Sequence, residues 1–163
     1  MKLSFRLKHH FFSAFREFFV HHHGSLEFRA KIFALIISSN EDVDEENYTI
    51  VEKIAMDIYK DDKDRANLLT LTTKELVKKV QDPNGLDIDT LVLHIQKELK
   101  IIPRYAKKID IESLKPLTEI TRDIDTLSYQ QNILEFLQNL KDDTLLSKKS
   151  QIEKDEKGLV TKY

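Results

Sequence analysis

The chain has 163 residues, 40% hydrophobic and 33% charged, with three glycines, three prolines and no cysteine. This composition suits one compact domain with a real core, argues against a turn-rich β architecture, and excludes disulfides, thiolate metal centres and cysteine nucleophiles. The net charge of −2 hides an asymmetry: residues 1–31 hold six Lys/Arg against two acids, +4, so the rest carries −6, a split that suits a molecule whose one end meets something anionic.

Residues 2–20 read as an amphipathic helix. At 100° per residue Leu3, Phe5, Leu7, Phe11, Phe12, Ala14, Phe15, Phe18 and Phe19 share one side, an arc of about 200°. Lys2, Arg6, His9, His10, Ser13, Arg16 and Glu17 occupy the other. Lys8 is the charged intruder on the apolar side, and His21, His22, His23 and the helix-stopping Gly24 close the segment. Charged and polar residues interrupt every apolar run, so neither a secretory signal nor a membrane-spanning helix is expected. Three roles fit this helix: packing on the domain, lying in a membrane interface, or binding a partner protein or second copy. An arc so wide needs cover on both flanks, which argues against packing on one neighbour alone.

Ser25 can cap the next helix, and Leu26 to Ile37 is apolar on nearly every face, which places it at the centre of the fold. A polar turn from Ser38 to Asp42 follows. Asp44 opens a helix carrying Tyr48, Val51, Ile54, Ala55, Ile58 and Tyr59 at helical spacing. The next helix runs from Asp61 or Asp62 to Val80, and Asp82-Pro83-Asn84-Gly85 is the clearest turn signal in the chain. Asp87 starts a helix that Pro103 limits. Short helices are expected over Arg104–Asp110 and Ile111–Arg122, a last one over Thr126–Leu140, and a mobile charged tail beyond Lys141.

An acid–aliphatic–acid motif recurs at Asp42-Val43-Asp44, Asp87-Ile88-Asp89, Asp110-Ile111-Glu112 and Asp123-Ile124-Asp125. Helix capping explains it: the acid accepts from the first backbone N–H groups and complements the positive helix end. Asn40, Asp42, Asp44 and Glu46 also set oxygen ligands at alternate positions, a pattern suited to a hard cation, but Glu45 and Val51 stand where an EF-hand requires Gly and Glu. A weakly bound divalent cation at Asp42, Asp44 and Glu46, joined by Asp123 and Asp125, is therefore the metal site to look for. His94, alone between Leu93 and Ile95, reads as a partly buried structural histidine.

The apolar helix ending in Ser38-Ser39-Asn40-Glu41-Asp42, followed by Val43-Asp44-Glu45-Glu46 at a helix start, resembles the tellurite-resistance TerB-like domain over roughly residues 25–141. Asn40-Glu41 replaces the family's usual Asp-Gly, and Arg122-Asp123-Ile124-Asp125 matches a second acidic turn near the end. The resemblance implies an all-α body of about seven helices in two overlapping bundles, linked to metal or stress responses at the inner membrane face.

No GxSxG, HExxH, P-loop or GxGxxG pattern occurs, and nucleic-acid binding is not expected at a pI near 6.3. The expected protein is thus a cytoplasmic, non-catalytic all-α scaffold or adaptor, peripheral to the inner membrane or part of a protein assembly, with no resident cofactor. Residues 1–24 form its amphipathic helix, 25–141 the TerB-like body and 142–163 the charged tail. Contact with a protein partner, an anionic membrane surface or a second copy would run through Lys2, Phe5, Arg6, Phe11, Phe12, Phe15, Arg16, Phe18 and Phe19. The alternative is a metal-binding stress-response domain built on the acidic turns.

Overall fold

The computed structural model describes residues 24–160. Six α-helices and one 3₁₀-helix follow in order: α1 Gly24–Ile37, α2 Glu45–Ile58, α3 Lys63–Gln81, α4 Ile88–Ile101, η1 Pro103–Lys108, α5 Ile111–Glu119 and α6 Ile124–Val160. The described residues contain no strand, so the fold is all-α, as the composition requires. Residues 1–23 lie outside this description, and with them the expected amphipathic helix.

α1 is the axis of the bundle. It packs against α3, α4, η1, α5 and α6, and Leu26, Phe28, Ala30 and every residue from Ile32 to Ile37 are buried. A helix apolar on all sides has no solvent face to lose, and each fully buried Leu, Ile or Phe side chain contributes about 1.5–3 kcal/mol. Gly24 is the first residue of α1. A Cβ there would stand 2.6 Å from the Tyr105 hydroxyl, so the small residue admits η1, whose Tyr105 ring lies 5.3 Å from that of Phe28.

The acids capping the helices act as their positions suggest. Asp62 accepts from the Arg65 amide at 3.2 Å, Asp87 from that of Thr90 at 2.7 Å and Asp110 from that of Ser113 at 3.4 Å. Asp123 accepts from the Thr126 amide at 2.9 Å and hydroxyl at 2.7 Å. Within α3 the hydroxyls of the buried Thr72 and Thr73 bond back to the carbonyls of Leu68 and Leu69, which satisfies polar groups on an otherwise apolar face.

Between α2 and α3 the chain reverses through Lys60 and Asp61, both in the left-handed region with φ of 51° and 66°. The Asp82–Gly85 turn closes on bonds from the Asn84 amide to the Asp82 carboxylate and from the Gly85 amide to the Asp82 carbonyl. A Cβ at Gly85 would lie 2.1 Å from the Lys79 carbonyl oxygen, so only glycine fits.

Two elements differ from expectation. The short helix expected over Arg104–Asp110 is a 3₁₀ segment, Pro103–Lys108. More substantially, α6 does not stop at Leu140 but continues to Val160 through the segment expected to be a tail. That segment has one glycine, Gly158, and no proline, and its commonest residue is Lys, with Leu at three positions, both strong helix formers. Residues 151–159 are exposed on all sides, so the helix runs on past its packed portion.

Hydrogen bonds from Thr90 to Asp87, from Ser113 to Asp110 and from Thr126 to Asp123 hold these three carboxylates below the usual aspartate range. A depressed folded-state pKa contributes stability that is present above the unfolded value of about 3.9 and lost as pH falls through the folded value. The urea midpoint should therefore fall on acidification below about pH 4. Asp110→Asn keeps a capping oxygen but cannot titrate, so its midpoint should fall less steeply over the same range; identical acid limbs would contradict the assignment.

Candidate functional site

Two helix–helix turns lie side by side at one end of the bundle. In the first, α1 ends with the Ser38 amide bonded to the Ala34 carbonyl and the Asn40 amide to that of Ile37. The chain then crosses exposed Glu41 and Asp42 to Asp44, whose carboxylate accepts from the Glu46 amide at 3.4 Å and whose carbonyl accepts from the Asn47 side chain at 3.1 Å. In the second, α3 ends at Gln81 and α4 begins after Asp87. Between them is an open groove of about 940 Å³.

Its apolar lining is Val43, Val80 and Ile88, which are partly buried against the core. Glu41, Asp42, Asp87 and Asp89 also line it, all four exposed, and no Lys, Arg or His side chain does. Thr90 keeps Asp87 ionised well below neutral pH. Four carboxylates around three aliphatic side chains make a surface suited to a ligand with positive charge beside apolar groups, since clefts with low-dielectric walls concentrate the field of their rim charges.

Of the oxygen ligands singled out from the sequence, Asn40 and Asp42 reach this groove. Asp44 is the α2 N-cap and Glu46 lies in the exposed first turn of that helix. Asp123 caps α6, and Asp125 is exposed in its first turn. Among the described residues no three His, Asp or Glu side chains are arranged to hold a metal ion. The structure therefore does not assemble the expected cation site: Asp44 and Asp123 direct their oxygens at backbone N–H groups of their own helices, which leaves no convergent donor set. His94 is partly buried on α4, as read from its apolar neighbours. Lys2, Phe5, Arg6, Phe11, Phe12, Phe15, Arg16, Phe18 and Phe19 lie outside the described residues.

Glu41, Asp87 and Asp89 were not expected as site residues, because capping accounts for an acid at a helix start without reference to any other helix. Their meeting depends on α1 and α3 packing side by side so that both turns fall at one end. The available signal was an excess of acids: Glu41, Asp42 and Asp44 in the first turn and Asp82 and Asp87 in the second, with no Lys, Arg or His inside either turn. No helix among the described residues is long and apolar enough to cross a membrane. Comparison with protein-family models, with curated proteins and with solved structures finds no match.

Proposed function

We propose that this chain is a non-catalytic adaptor: its helical body offers the acidic groove to a basic amphipathic segment of a partner, and its own residues 1–20 attach it to a protein assembly or the cytoplasmic membrane face. The observation that carries this reading is the groove's pairing of an aliphatic lining with four carboxylates and no basic side chain. The charge distribution supports the second attachment, because Lys2, Arg6, Lys8 and Arg16 lie among phenylalanines at the end opposite in sign to the body. The TerB-like character of the Asn40–Glu46 turn fits a body of this kind.

The groove is tested by titrating a synthetic lysine- and phenylalanine-containing amphipathic helix into the full chain. Binding should weaken with salt, and Asp42→Lys with Asp89→Lys should weaken it about tenfold or more by reversing two of the four charges. Asp87 is left intact because it caps α4. Affinity unchanged by the double reversal would remove the groove from the reading. For residues 1–20 the measurement is flotation with anionic vesicles, comparing the wild-type chain with Lys2→Glu/Arg6→Glu/Arg16→Glu. Loss of flotation supports membrane attachment, and equal flotation sinks it.

A further inference from the structure

Beyond Leu140 the last helix continues where little of the bundle accompanies it. Leu145 is partly buried against the core, while Leu146, Ile152 and Leu159 are exposed by 67%, 48% and 60%. Leu145, Ile152 and Leu159 recur every seven residues and so form one stripe along the helix. Lys148 and Asp155 flank it on one side, Lys149 and Glu156 on the other. Both lysines are therefore near the bundle and both acids near the tip.

From this pattern we propose that the distal part of α6 is a dimerisation element that pairs antiparallel with the same segment of a second copy. A two-fold axis at Ile152 sets each Ile152 against its counterpart and Leu145 against Leu159 of the other copy. Antiparallel helices bring like flanks together, so Lys148 meets Asp155 and Lys149 meets Glu156 across the interface, each pair occurring twice. A parallel pair would bring opposite flanks together at equal heights, setting Lys148 against Lys149 and Asp155 against Glu156, so the charge order selects the antiparallel arrangement. Two heptads bury less than the roughly 1,600 Å² of a standard interface, so the dimer is a weak, concentration-dependent one.

Sedimentation of the full chain from about 10 μM to about 1 mM tests this. The mass should rise from that of the 19.2 kDa monomer towards twice that value, and added salt should oppose the rise. Ile152→Lys, at an exposed position, should remain monomeric with an unchanged circular dichroism spectrum. Lys148→Glu/Lys149→Glu should move the midpoint about tenfold or more to higher concentration. Adding Asp155→Lys/Glu156→Lys to that variant should restore it, which a parallel pair cannot do. Because the chain contains no cysteine, orientation can be read directly: Ile152→Cys should cross-link to itself on oxidation, and Leu159→Cys should not. A monomer at all concentrations, association unaffected by Ile152→Lys, or self-cross-linking of Leu159→Cys as efficient as that of Ile152→Cys would overturn the proposal.

Discussion

Lys31→Met should destabilise the fold by about 2–3 kcal/mol, far more than the loss of a surface ion pair. Lys31 reaches from α1 to Glu98 on α4, with Nζ 2.8 Å from Oε1. The two side chains are only 12% and 28% exposed, and the second carboxylate oxygen of Glu98 is buried without a hydrogen-bond partner. Removing the lysine therefore leaves a largely buried carboxylate held against the bundle without its counter-charge. Removing both charges relieves that penalty, so Lys31→Met combined with Glu98→Leu should return to within about 1 kcal/mol of wild type. Urea denaturation of the two single variants and the double completes the cycle. A Lys31→Met loss below about 0.5 kcal/mol would show that the pair is solvated and energetically minor.

This pair illustrates what the sequence could and could not disclose. Helix starts at Asp44, Asp62, Asp87, Asp110 and Asp123 were legible because a cap is a local interaction spanning two or three residues. The central place of α1 was legible because a helix apolar on all faces can only be buried. Lys31 and Glu98 are brought together by helix packing, and nothing local distinguishes either from a solvated charge. The groove is illegible for the same reason, since Asp42 and Asp87 meet only after α1, α3 and α4 have packed. The length of α6 was obscured differently: Leu145, Ile152 and Leu159 are too sparse to suggest a buried face, and the polar residues between them read as a tail, although their intrinsic preference is helical. The acids read as cation ligands do not gather among the described residues, and two of them, Asp44 and Asp123, are engaged by backbone N–H groups at their own helix starts.

Gln130→Glu should give the fold a pH dependence opposite to that of the wild type. Gln130 is 1% exposed in the part of α6 that faces α1. Its Oε1 accepts from the Thr121 hydroxyl at 2.7 Å, and its Nε2 donates to the Ile36 carbonyl at 3.2 Å, joining the chain before α6 to the last turn of α1. Glutamate has the same shape, but only its protonated form can donate to that carbonyl; the carboxylate would face the carbonyl oxygen inside the core. Burial and the lost donor both disfavour the charged form, so the folded-state pKa must rise above the unfolded value of about 4.3. A raised pKa gives stability that is complete below the unfolded value and disappears as pH climbs through the folded one. Gln130→Glu should therefore unfold near the wild-type urea midpoint at about pH 4.5 and lose roughly 3 kcal/mol by pH 8, as expected for a shift of two or more units. Gln130→Leu separates charge from the hydrogen bonds: it leaves the Thr121 hydroxyl without its acceptor at a cost of about 1–3 kcal/mol, the same at both pH values. The two variants falling by equal amounts at pH 8 would mean that water reaches position 130. A gap that opens only as pH rises identifies Gln130 as the dry polar contact fastening α6 to the bundle, and with it the base from which the exposed end of that helix projects.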